Sequence, residues 1–160
     1  VRQVIGAKEK GFTQLVDFAA YAPSYGAPAS FIAAPLYNGS RLVGVLAFQM
    51  PVNEINNVMT GNQQWQQDGL GKSGETILVG QDRLMRSASR FYLQDPKAYL
   101  AQLRSRGVKD DAITRLQQYG TTILQQPVQT PPSPRRSPAG REPYRRWITA
   151  AFLYSAPTRR

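Results

Sequence analysis

The chain has 160 residues, about the length of one domain. It contains neither cysteine nor histidine, which excludes thiol nucleophiles, disulfides, haem ligation and nearly all zinc chemistry, and removes the commonest general base. Net charge is +10, but residues 131–160 hold seven arginines against the one acid Glu142 and so carry +6 of it. The rest of the chain is too mildly basic to argue for a nucleic-acid partner.

No apolar run approaches the roughly 18–20 residues of a membrane span. Val1-Arg2-Gln3 is not followed by the apolar stretch of a signal peptide. The chain as it stands is therefore expected to carry neither leader nor membrane anchor.

The first predicted element is a hairpin. Residues 29–37 lead into Asn38-Gly39-Ser40, and Arg41–Gln49 return; Asn-Gly tolerates the positive φ that a tight turn demands. Leu42, Gly44, Leu46 and Phe48 alternate with Val43, Val45 and Ala47, so both faces of the second strand are apolar and a central position is expected. Pro35 suits an edge or a bulge.

Pro51 ends that strand and opens a helix with Val52, Ile55 and Met59 on one stripe. Residues 60–74, rich in Gly, Gln and Asn and carrying the lone aromatic Trp65, read as a linker. Glu75–Val79 and Arg83–Arg86 form a second strand pair around Gly80-Gln81-Asp82. Asp95-Pro96 opens a helix with Tyr99, Leu100 and Leu103 on its apolar stripe and Gly107 at its end. Asp110 or Asp111 caps a further helix through Ile113, Leu116 and Tyr119, which Gly120 closes, and Thr121–Leu124 is a short strand candidate.

Two clusters are candidates for ligand binding. Asp17, Tyr21, Tyr25 and Phe31 surround a Pro/Gly loop and either line a small-molecule pocket or plug the end of a sheet. Arg83, Arg86 and Arg90, with Ser87 and Ser89 between them, either hold an anion or carboxylate or form a solvated strand and loop face. Gly69-Leu-Gly71-Lys72-Ser73 fails as a phosphate loop, because Gln66 stands where a glycine is required and no apolar strand precedes it. The scattered acids offer neither a catalytic pair nor a calcium loop. The sequence thus calls for no cofactor, no metal and no catalytic residue.

Two longer segments, Val16–Pro35 with Leu42–Pro51, and Asp68–Phe91, resemble the double Cache sensor region that precedes the HAMP segment in bacterial chemoreceptors, sensor kinases and adenylate/guanylate cyclases. The resemblance spans about residues 10–130. It implies an α+β, PAS-like fold of short antiparallel strands and flanking helices, with both units incomplete. Residues 1–59 would end a membrane-distal unit, 60–74 link, and 75–130 begin a membrane-proximal unit. It further implies a periplasmic, small-ligand-sensing module of a homodimeric inner-membrane receptor, itself not an enzyme, with any cyclase or kinase output elsewhere. The amino-acid-binding signature of the family is not found here, so no ligand site transfers residue by residue.

From Pro131 the composition turns to Pro, Arg and Ser, and no closing strands are expected. The codons of Trp147 and Ile148 force Asp in the neighbouring frame, and those of Ile148 to Ala151 permit Asp-Tyr-Arg-Gly, as the family would continue. Residues 131–160 are therefore expected to be out-of-frame translation or disordered. The alternative is a basic tail that binds nucleic acid or anionic lipid. Sequencing the DNA around codons 129–134 is expected to reveal a single-base shift that restores the family pattern; an unbroken frame would leave the basic tail standing.

Overall fold

The computed structural model describes residues 1–128 and, as backbone, 149–154. The architecture is α+β, built from antiparallel strands and short helices. The chain divides into two compact units, Val1–Val52 and Asn53–Arg160.

In the first unit, helix α1 (Arg2–Ala7) precedes strands β1 (Gln14–Ala20), β2 (Pro28–Asn38) and β3 (Arg41–Gln49). The strands form one antiparallel sheet in the order β1-β2-β3. The expected hairpin is present, with Asn38 opposite Arg41. The turn residues are therefore Gly39 and Ser40, with Gly39 at φ +60°, the position that a type II′ turn reserves for glycine.

One sequence expectation changes here. The central strand is β2, and β3 lies at the edge of the described sheet. Val43, Leu46 and Phe48 are correspondingly 57%, 41% and 59% exposed. Pro35 lies within central β2, but β1 pairs with β2 only as far as Gln14 opposite Ala33. Beyond that point one side of β2 has no ladder neighbour in the sheet, so the missing N–H breaks no pairing. Helix α1 packs on β2, burying Val4 at 1% exposure. Ser30 Oγ donates to Val16 O at 2.7 Å, beside the register shift that separates Val16 from Ala19.

The second unit begins with α2 (Val52–Met59), of which all but the first residue belongs to it. Strand β4 (Gly74–Val79) and helices α3 (Arg90–Gln94), α4 (Pro96–Ser105) and α5 (Asp110–Tyr119) follow. The two compact units divide in sequence at the start of α2. Residues 60–74 form a compact loop: Asp68 N–H donates to Gln64 O, Leu70 N–H to Trp65 O and Gly74 N–H to Leu70 O. Asn62 and Gln63 take positive φ of 53° and 67° to close it.

Asp95 caps α4 by accepting from Ala98 N–H at 2.9 Å. Helix α5 ends at Gly120, φ +62°, which donates to Leu116 O. Asp110 and Asp111 lie in its first turn, and Lys109 is the N-cap. The apolar stripes of α4 and α5 meet: Leu100, Leu103, Ile113 and Leu116 form one buried cluster with Tyr92 of α3. The return from β4 is shorter than expected, a single bridge from Val79 to Met85. Residues 121–124 are not a strand: a turn covers 123–125, with Leu124 at φ +61°.

Within the segment expected to lack closing strands, Thr149–Tyr154 forms β5 and pairs antiparallel with β4 along its whole length. The rest of residues 129–160, including the whole run 131–148, lies outside the described residues. No helix among the described residues is long and apolar enough to cross a membrane.

Leu116 is fully buried, so Leu116→Ala is expected to cost about 2–5 kcal/mol. Urea unfolding followed by circular dichroism measures it, and a loss near zero would mean the helical cluster is not a packed core.

Candidate functional site

The residues that concentrate polar chemistry are Arg86–Arg90, five consecutive buried positions that run from the segment after β4 into the first residue of α3. The chain leaves the strand ladder here, and buried backbone N–H groups that leave a ladder must find other acceptors. Side chains supply them. Ala88 N–H donates to Asn56 Oδ1 at 2.8 Å, Ser89 N–H to Thr122 Oγ1 at 2.9 Å, and Arg90 N–H to Glu75 Oε2 at 3.1 Å. Ser89 Oγ donates to the same Glu75 oxygen at 2.7 Å, and Ser87 Oγ accepts from Leu78 N–H at 2.9 Å. Small hydroxyl residues suit such a segment because they bond nearby backbone in place of a ladder.

The three arginines do not converge. Arg83 is exposed, at φ +64°. Arg86 is 3% exposed, bonded to Leu84 O at 3.1 Å and paired with Asp82 at 3.0 Å. Gly80 leaves room for it, since a Cβ there would overlap the guanidinium. Burial alone would raise the Asp82 pKa, but the Arg86 hydrogen bond, the Leu84 N–H and the Arg86 charge together outweigh it, and the carboxyl titrates below its ordinary range. Arg86 is thus occupied in holding the turn.

Arg90 differs from both. It is 4% exposed, and its guanidinium donates to Gly74 O at 2.6 Å and Gly71 O at 2.9 Å. Its Cζ lies 4.8 Å from the Trp65 ring centroid and 5.5 Å from that of Phe91, both within cation–π range. One side chain therefore holds the 60–74 loop against the start of α3.

Burial raises the Glu75 pKa, against the opposing pull of the Ser89 and Arg90 hydrogen bonds and the Arg90 charge. Tyr99, edge-on to Tyr92 at 5.8 Å, is pushed up to about 12, first by burial and then by the Glu75 charge, so it stays a neutral phenol. A groove of about 290 Å³ lined by Phe91, Gln94, Asp95, Ala98, Tyr99 and Gln102 runs along α3 and α4. No cluster of three or more acids, cysteines or histidines suited to a metal occurs among the described residues.

In the first unit the structure brings together two of the four predicted residues. Tyr21 and Phe31 meet edge-to-face at 5.0 Å. Tyr25, at φ +53°, is 96% exposed and so does not line a cavity with them. Asp17 accepts from Phe18 N–H at 2.7 Å.

Sequence reasoning missed Glu75, Asn56, Thr122 and Trp65. The signal for Glu75 was present: a lone acid inside the apolar run Gly74–Val79 is a candidate for a paired, buried charge. Asn56 and Thr122 carried no comparable mark, being ordinary polar residues on a helix and a turn.

No family model matches the chain, and no curated protein matches it. Among solved structures it is similar to the ligand-binding domain of the Pseudomonas fluorescens chemoreceptor CtaA in complex with L-serine, at 18% identity and TM-score 0.37, covering 52% of this chain and 33% of that one. It is also similar to the ligand-binding domain of the Pseudomonas aeruginosa PAO1 amino acid chemoreceptor PctC in complex with GABA, at 16% identity and TM-score 0.38, covering 54% of this chain and 34% of that one. The chain therefore spans about a third of the length of these domains.

A carboxyl whose folded pKa is raised contributes stability that is complete below its unfolded value and is lost as pH rises through the folded one. From the ordinary value of 4.5 upward, the protein should lose stability relative to Glu75→Gln, which keeps an acceptor for Ser89 and Arg90. Denaturant midpoints across a pH series test this. Parallel curves for the two proteins would show that Glu75 ionises as freely folded as unfolded.

Proposed function

We propose that the chain is part of the extracytoplasmic, ligand-sensing input region of a bacterial transmembrane receptor. The Cache resemblance of residues 10–130 supports this reading, as does the α+β build of antiparallel strands and short helices. The observation that carries it furthest is the bond from Asn56 on α2 to Ala88, inside the buried polar segment. The helix that opens the second unit is thereby tied to a hub that also holds β4 through Glu75 and the 122 turn through Thr122. An occupant that rearranged the hub would shift the population of α2 positions, which is how a ligand biases a two-state element.

In this reading the receptor is periplasmic on its sensing side, paired with a second copy in the inner membrane, and its ligand is a small molecule. The output, a cyclase, a kinase or a methyl-accepting coiled coil, belongs to other parts of the parent. In the first unit, Tyr21 and Phe31 remain the pair best placed to line a pocket.

The test is hydrogen exchange of the full chain with and without a panel of small organic acids and amines. A binding compound is expected to raise the melting temperature and slow exchange in residues 52–59. Compounds that bind yet leave α2 exchange unchanged would defeat the sensing reading.

A further inference from the structure

Arg90 and Trp65 each hold a side-chain N–H that meets no protein acceptor. Arg90 Nε and Trp65 Nε1 are both buried and both without a hydrogen-bond partner. Native interiors leave few polar groups in this condition, and each calls for a specific explanation. The two donors belong to neighbouring side chains, with the Arg90 Cζ 4.8 Å from the Trp65 ring centroid.

Charge narrows the class of acceptor. Arg90 is a cation at 4% exposure, and buried charges require a counter-charge or rich hydrogen bonding. Neither the Arg86–Asp82 nor the Arg115–Asp111 ion pair includes it. Glu75 is the carboxylate whose charge acts on Arg90. Its Oε2 accepts instead from Arg90 N–H and Ser89 Oγ.

Guanidinium offers five N–H groups, and among the described residues two bonds, to Gly74 O and Gly71 O, engage it. Those two bonds fix its orientation, and the Trp65 ring covers one face. What is left is a preoriented, donor-only edge under an aromatic lid that adds one more donor. A carboxylate has the charge, the two oxygens and the lone pairs to match it.

We propose that the edge of Arg90 beneath Trp65 binds the carboxylate of a small organic acid. This deepens the sensing reading and rests on it for its purpose, since the same residue donates its backbone N–H to Glu75 within the hub that includes Asn56 and Ala88.

The test uses the full chain labelled with nitrogen-15 and sodium acetate as the probe, against sodium chloride at matched ionic strength. Acetate is expected to move the Arg90 Nε–H and Trp65 Nε1–H resonances together and to saturation, while chloride moves neither. Trp65→Phe keeps the ring and removes one donor, so it should weaken acetate binding about tenfold and also identify the Trp65 indole signal. Immobile resonances, or equal movement in chloride, would overturn the proposal and assign the donors to ordered water. An unchanged affinity in Trp65→Phe would overturn it too. Saturation without slower exchange in α2 sustains the site and sinks sensing; a ligand that slows α2 without moving these two resonances does the reverse.

Discussion

The second unit is organised by the need to satisfy a stretch of backbone that leaves the sheet and enters the interior. At Ala88, Ser89 and Arg90 the main-chain donors no longer face a strand, and burial forbids water from taking them. The acceptors come from three distant places, Asn56 on α2, Thr122 after α5 and Glu75 on β4. Those bonds draw together parts of the chain up to 33 residues from their partners in sequence. Unmaking any one would strand a buried donor, which costs about 1–3 kcal/mol, so the segment acts as a keystone for the elements around it.

Electrostatics follow from the same arrangement. Glu75 is retained at 8% exposure because it accepts two hydrogen bonds, yet burial still raises its pKa. Arg90 is retained because two carbonyls and two aromatic faces surround its guanidinium. The two charges are near neighbours through a backbone N–H without being joined head to head. That geometry stabilises the fold while leaving one guanidinium donor, Arg90 Nε–H, without a protein acceptor.

The local signals in the sequence worked where one residue type dictates one backbone conformation. Gly39 placed the hairpin, Asp95-Pro96 the start of α4 and Gly120 the end of α5. The apolar spacing of Leu100, Leu103, Ile113 and Leu116 anticipated the helical cluster. Reading failed where a residue's role depends on what approaches it from elsewhere. Trp65 looked like an isolated aromatic in a linker, but the loop closes on itself and the ring covers Arg90. The three arginines looked equivalent along the chain, and tertiary packing gave each a separate fate. The pattern of β3, apolar on both faces, suggested a central strand, but in the described sheet that strand lies at the edge.

By itself, then, the sequence determined the class of fold, the hairpin, the helix boundaries at Asp95 and Gly120 and the absence of cysteine and histidine chemistry, because each depends on local conformation or composition. Only the tertiary structure decided that Arg86 is spent on Asp82, that Arg90 lies under Trp65 with donors open, and that Asn56 joins α2 to the buried segment. A side chain's partners are set by which distant elements arrive beside it, and that information is distributed over the whole chain instead of written at the residue.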